Sequence, residues 1–191
     1  LCDNCNTVLG RVEEKHDTLY RMSAYLEREV SKLSVYVVGS LRNSKVTDAA
    51  NTLRAQDFLD VFDDYMAAGP EADDYWKAYE IGRGRNFKEA LAGRAARHVF
   101  SYDRAHIDMS DAVLVVLPAG KSAMLEAGYS KARGKRVYFL LDPDHSKDRY
   151  DVMKKFADGF YDSVDDLIPA LQRLHSDFFV DPAIDKKQET V

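Results

Sequence analysis

The sequence predicts an α/β domain, a parallel sheet with helices on both faces. Two observations predict it. The runs Val35-Tyr36-Val37-Val38 and Ala112-Val113-Leu114-Val115-Val116-Leu117 are apolar throughout instead of alternating, the pattern of strands buried on both faces. Between such runs, apolar residues recur every three or four positions, the period of a helix. The chain has 191 residues, 46% hydrophobic and 31% charged, which suits one domain with a real core and excludes a disordered chain.

Each element has its own signal. Residues 1–32 stand apart. After Cys2-Asp3-Asn4-Cys5, the positions Leu9, Val12, His16, Leu19, Met22, Leu26, Val30 and Leu33 form one apolar stripe. That is an amphipathic N-terminal helical arm, whose stripe must be buried on the domain or on a partner. The domain itself spans 33–176. Its first strand, 35–38, is stopped by Gly39-Ser40; a helix is expected over 46–56 and a second strand over 58–62. A polar and aromatic segment, 63–97, breaks at Gly69-Pro70 and carries helical patterning over 75–91. His98, Asp103 and His106 fall on a helix leading into the strand 112–117, which Pro118-Ala119-Gly120 ends. A helix over 122–132, a strand over 136–141, helical pattern over 150–157 and 164–174, and a short strand near Phe160 follow. Residues 177–191 read as a polar tail.

Composition narrows the function. Net charge is −5, from 27 Lys and Arg against 32 Asp and Glu, which argues against a nucleic-acid face. The longest apolar run, 112–117, falls far short of the roughly 20 residues a membrane helix needs. With no secretory signal, the expectation is a soluble cytoplasmic protein whose partner is a small molecule, neither nucleic acid nor membrane. Cys2 and Cys5 have the spacing of half a zinc site, a weak signal with no second half in the chain, so no metal is expected.

Two phosphate motifs fail. Gly120-Lys121-Ser122 resembles the end of a P-loop, but the required leading glycine is Val115. Gly82-Arg83-Gly84-Arg85-Asn86-Phe87 lacks the third glycine of a dinucleotide fingerprint and follows no strand. What survives is the strand, tight loop and helix 117–129, with Glu126 inside the helix's early turns. Helix-start N–H groups hold anions, and the helix dipole favours an ionised Glu126. A carboxylate beside a sugar can act as the nucleophile of glycosyl transfer. Ligands in parallel sheets bind at the carboxyl ends of strands, which directs attention to Gly39, Ser40, Arg42 and Asn43 after the first strand. The same rule points to Asp63 and Asp64 after the second, and to Gly120 and Ser122 before the helix of Glu126. Asp103 precedes Asp111 by eight residues, on the helix entering the strand that leads to Glu126, where it can handle a nucleobase proton. Tyr75 and Trp76, with Asp63 and Asp64, make an aromatic and acidic cluster suited to a base.

In their order and spacing these residues resemble the nucleoside 2-deoxyribosyltransferase superfamily, which includes the 2′-deoxynucleoside 5′-monophosphate N-glycosidases. The resemblance covers 35–157 and rests on Val35-Tyr36-Val37-Val38-Gly39-Ser40, on Asp103 with Asp111, and on Glu126-Ala127-Gly128-Tyr129 before Gly134-Lys135. It implies a flavodoxin-like, Rossmann-like three-layer sandwich with a five-stranded parallel sheet, commonly a homodimer or higher homo-oligomer with sites near subunit contacts, and no cofactor. It implies that Glu126 attacks the anomeric carbon, that Tyr36 orients it against the sugar, and that Asp103 serves the departing base. Ser40, Arg42 and Asn43 would hold a 5′-phosphate. Two departures stand out. The loop before the glutamate is one residue shorter than in the monophosphate glycosidases, and Lys121 or Ser122 stands where the transferases often carry an aspartate. The first leaves Ser122 a weak match for a phosphate or sugar contact, and the second weakens the transferase reading and favours an anionic substrate.

The expected activity is therefore cleavage of the N-glycosidic bond of a nucleoside or nucleoside 5′-monophosphate, with the sugar passed to another base or to water. Two alternatives stay open. One is an NAD or nucleotide hydrolase of TIR-like or cytokinin-activating type, although Pro118-Ala119-Gly120 lacks the glycine-rich run of the latter. The other is a non-catalytic nucleotide-binding or sensor module with the N-terminal helix as its output.

Overall fold

A computed structural model describes residues 32–144 and 150–179. The chain divides into two units, Leu1–Lys32 and Leu33–Val191, and the sheet belongs to the second. The expected N-terminal helical arm, with Cys2 and Cys5, lies outside the described residues.

The core is a five-stranded parallel sheet in the order β2-β1-β3-β4-β5. Its strands are β1 (Leu33–Val38), β2 (Leu59–Phe62), β3 (Ala112–Val116), β4 (Arg136–Leu140) and β5 (Gly159–Tyr161). This is the flavodoxin-like arrangement, a three-layer sandwich. The uninterrupted apolar runs are explained by which face each residue serves. Along β1, Leu33, Val35 and Val37 enter one core with Leu114 and Val116 of β3. Tyr36 and Val38 enter the other with Val113 and Val115. Side chains alternate between faces, but because both faces are covered the sequence shows no alternation.

The first face is covered by α1 (Lys45–Arg54), through Val46, Ala49, Ala50 and Leu53, and by the last helix, through Leu167, Ala170, Leu171 and Leu174. Between β2 and β3 run a 3-10 turn (Asp64–Ala68), α2 (Ala72–Gly82), α3 (Phe87–Leu91) and α4 (Arg94–Met109). The second face is covered by α4, through Ile107, and by α5 (Lys121–Ala132), through Ala123 and Ala127.

Three elements differ from the sequence reading. The single helical pattern over 75–91 is two helices, because α2 ends at Gly82 and Gly84 adopts φ +71, which favours glycine. Arg85 closes this turn by pairing with the buried Glu80 at 3.0 Å, and Asn86 starts α3 with a capping box to Glu89. The pattern over 150–157 forms only a 3-10 turn, Val152–Phe156. The last helix, α6 (Val164–Phe179), runs into the segment read as a polar tail. His175 explains why, lying edge-on to Phe58 at 5.5 Å and beside Phe179 at 5.0 Å, which holds the helix end on the domain.

Among the described residues no helix is long and apolar enough to cross a membrane.

Candidate functional site

Strand order changes direction between β1 and β3, since the chain leaves β1 for β2 on one side and reaches β3 on the other. A crevice opens at the carboxyl ends of the strands at such a switch point. The loops there are tied together. Asn43, only 9% exposed, donates from Nδ2 to the Val116 carbonyl at 3.5 Å and the Pro118 carbonyl at 3.2 Å. Its Oδ1 accepts the Lys45 N–H at 3.2 Å. Gly39 is required by close approach, since a Cβ there would meet Val46 Cγ2 at 2.5 Å and the Val116 carbonyl oxygen at 3.0 Å. Lys45 also reaches Asp142, after β4, at 3.3 Å.

Tyr36, the even position of β1, faces α4 and α5 and is 1% exposed. It stands in register with Phe62 of β2, and the rings stack at 5.2 Å. Tyr65, in the turn after β2, also stacks on Tyr36, at 6.1 Å. Its hydroxyl oxygen accepts the Gly39 N–H at 2.8 Å. On the α4 side, His106 stacks on Phe62 at 3.7 Å and Tyr102 meets His106 edge-on at 4.6 Å.

Glu126 of α5 and Asp103 of α4 meet these aromatics. The Tyr36 hydroxyl and Asp103 both act electrostatically on the Glu126 carboxylate, whose Oε2 is buried with no hydrogen-bond partner. Burial, and then the Asp103 charge, raise the Glu126 carboxyl to about 7, with the Tyr36 hydroxyl opposing them. Burial also raises Asp103, and His106 opposes that rise. Tyr36 is held far above the ordinary phenol range by burial and by the Glu126 and Asp103 charges. A perturbed pair of carboxylates in a crevice marks a functional candidate.

The spacing of the two carboxylates is fixed from behind. Tyr129 of α5 donates to Asp108 of α4 at 2.7 Å. Lys135 donates to the Asp108 carbonyl at 2.8 Å and also to the Ser110 carbonyl, closing the end of α4. Asp111 has no part in the crevice. It stitches the start of β3 to β1, accepting the Ser34 N–H at 2.8 Å and donating its own N–H back to the Ser34 carbonyl at 2.8 Å.

The structure thus brings Tyr36, Asp103 and Glu126 together, with Gly39 and Asn43 shaping the wall. Other expected residues stand elsewhere. Asp63 is buried and paired with Arg54 of α1, so its carboxylate is already committed. Asp64 is exposed at the start of the 3-10 turn. Ser40 accepts the Arg42 N–H at 3.2 Å, and Arg42 pairs with Asp74 of α2 at 2.6 Å on the surface. Gly120 caps the start of α5, and Ser122 is exposed on its first turn. Tyr75 is exposed, and Trp76 packs edge-on against Phe87 at 6.5 Å, outside the Tyr36 stack. An apolar groove of about 710 Å³, lined by Gly120, Met124, Phe139, Met153 and Phe156, contains none of Tyr36, Asp103 and Glu126.

No protein-family model matches the chain, and no curated protein does. The site's own geometry therefore carries the functional argument. Sequence reasoning missed Phe62, Tyr65 and His106. A signal existed for Tyr65, which lies in the first loop to inspect after β2. Among the described residues no cluster of three or more His, Cys, Asp and Glu is arranged to hold a metal ion.

Proposed function

We propose that the protein cleaves the N-glycosidic bond of a nucleoside or nucleoside 5′-monophosphate, as a nucleoside 2-deoxyribosyltransferase or nucleotide N-glycosidase. The observation that carries the reading is Glu126, largely buried at the strand switch point, held on one side by the Tyr36 phenol and facing Asp103. Tyr36, Asp103 and Glu126 are among the residues that carry the resemblance to the nucleoside 2-deoxyribosyltransferase superfamily.

The chemistry follows from two carboxylates with separate tasks. In the productive state Glu126 is ionised and Asp103 carries the pair's one proton, which must pass to it from Glu126, since burial and the Asp103 charge raise the Glu126 carboxyl to about 7. The Tyr36 hydroxyl, which opposes that rise, works toward the productive distribution. A Glu126 oxygen attacks the anomeric carbon as the bond from that carbon to the base nitrogen breaks. The electron pair of the broken bond leaves with the base, which takes the proton of Asp103. The sugar is then an ester of Glu126. Water, surrendering a proton to the Asp103 carboxylate, or the nitrogen of a second base attacks the same carbon and releases Glu126. The reaction balances with no cofactor.

A homodimer or higher homo-oligomer is part of the reading, supported by exposed apolar side chains on the α2–α4 surface, among them Ile81, Phe87, Leu91 and Phe100. The test incubates the protein and Glu126→Ala with nucleosides, 5′-monophosphates and NAD, with and without acceptor base, and measures free base by chromatography. Base released by the wild type alone supports the reading, and equal release by both overturns it. Nicotinamide release from NAD alone would point to the TIR-like alternative.

A further inference from the structure

Tyr65 is a polar group of the crevice that the mechanism above does not use. Three observations place it there. Its hydroxyl oxygen accepts the Gly39 N–H at 2.8 Å. Its ring lies nearly parallel to Tyr36, 19° apart at 6.1 Å. Burial, together with the charges of Glu126, Asp63 and Asp103, holds it far above the ordinary phenol range, against the Gly39 hydrogen bond, so it keeps its proton.

A phenol oxygen fixed from behind by a main-chain N–H still has one proton to give. The Tyr36 hydroxyl is coupled to Glu126, and no acceptor is assigned to the Tyr65 proton among the described residues. Glu126 Oε2 is the opposite case, a buried acceptor with no donor. A free donor and a free acceptor in one crevice complement a hydroxyl group, which gives one hydrogen bond and takes one. They do not complement a phosphate, whose charge would add to two carboxylates. No cation is among the groups that set the Glu126 carboxyl, and Arg42 is turned to Asp74.

We propose that Tyr65 is a substrate-binding residue that donates to a hydroxyl of the sugar, pre-set by its bond from Gly39. The inference rests on the glycosidic reading of Glu126 and adds to it a neutral, hydroxyl-bearing sugar as the group recognised beside the nucleophile.

The experiment is a cycle between protein and ligand. Calorimetry measures binding of the four common 2′-deoxynucleosides, and of their analogues lacking the 3′- or the 5′-hydroxyl, to the wild type and to Tyr65→Phe. Tyr65→Phe is expected to weaken the complete nucleosides by about 3- to 10-fold. One of the two deleted analogues is expected to bind both proteins equally.

An equal loss on every analogue would assign Tyr65 to holding the Gly39 loop and overturn the proposal, as would no loss at all. Base release, measured separately with Glu126→Ala, keeps the two claims apart. Cleavage with a flat analogue pattern overturns the role of Tyr65 alone. The expected pattern without cleavage overturns the glycosidic reading and leaves hydroxyl recognition by Tyr65 standing. Absence of binding by every nucleoside overturns the role of Tyr65, and, with no base released from 5′-monophosphates either, the glycosidic reading as well.

Discussion

Tyr36 on β1 and Glu126 on α5 form a phenol–carboxylate pair in which the phenol favours the charged carboxylate and the carboxylate's Oε2 stays buried and unpaired. The pairing follows from strand geometry. Residues of even number on β1 face α4 and α5, so Tyr36 lies under the helix that carries Glu126. A buried acceptor without a donor is costly to folding, and at this position the free oxygen is what a bound substrate would meet.

That cost has a measurable sign. The Glu126 carboxyl is raised by burial from 4.5 to about 7 in the folded protein. Between those values the unfolded chain ionises it more readily, so folding loses stability as pH rises from 4.5 to 7 and the penalty is complete above 7. Glu126→Gln is therefore expected to be more stable than the wild type at pH 8, by roughly 3 kcal/mol at most, and near parity at pH 4. Denaturant melts at the two pH values check it. An advantage of Glu126→Gln over the wild type no larger at pH 8 than at pH 4 would contradict the raised, buried carboxylate.

Activity is expected to depend on the same proton. The reactive form keeps one proton on the pair, carried by Asp103, so kcat/KM should fall as the pair loses it through about pH 7. Tyr36→Phe removes a hydroxyl that lowers the Glu126 carboxyl and should move this fall to higher pH. Asp103→Asn leaves no proton to lose, so the fall should vanish, with a loss of about 10²- to 10⁴-fold in rate from the missing proton donor. A fall that survives in Asp103→Asn would break the assignment.

Much of this was legible in the sequence. β1, β3 and β4 stand where apolar runs put them, because strands buried on both faces need no alternation to be recognised. The edge strands β2 and β5, only partly buried, stand within 58–62 and at Phe160. Tyr36, Asp103 and Glu126 converge because each sits at a position the α/β fold fixes, one on a central strand and two on adjacent helices. Asp63 was legible only as a polar residue after a strand. Its partner Arg54 stands on a helix whose orientation no local pattern reveals. The stack of His106 on Phe62 was hidden for the same reason, since it joins α4 to the edge strand β2. The helix over 75–91 was over-read because the periodicity continues across Gly84, where the backbone does not.

Gly39 gives a test of the crevice wall. Gly39→Ala drives a methyl into Val46 Cγ2 and the Val116 carbonyl, and is expected to cost about 1–3 kcal/mol of stability. Val46→Ala in the same chain relieves only the first contact, so the double variant should recover part of the loss relative to the sum of the two single variants. Thermal melts of the four proteins decide it, and strict additivity would mean that Val46 is not what Gly39 accommodates.

The Arg42–Asp74 pair bears on whether a 5′-phosphate is recognised. Both side chains are more than half exposed, at 55% and 66%, and 2.6 Å apart, so the pair contributes little to stability. An anionic substrate bound at Arg42 must displace Asp74. Asp74→Asn should then tighten 5′-monophosphates by up to about 5-fold and leave unphosphorylated nucleosides unchanged. Equal effects on both substrate classes would place the phosphate elsewhere or exclude it from recognition.

The central claim is that Glu126 becomes covalently attached to the sugar. Acid-quenching the protein seconds after mixing with a nucleoside or 5′-monophosphate that it cleaves, then mapping its peptides by mass spectrometry, tests this most directly. The account predicts the mass of the sugar residue on the peptide bearing Glu126, and its absence from Glu126→Gln. Base release with an unmodified Glu126 peptide, or a sugar adduct on another residue, would contradict it.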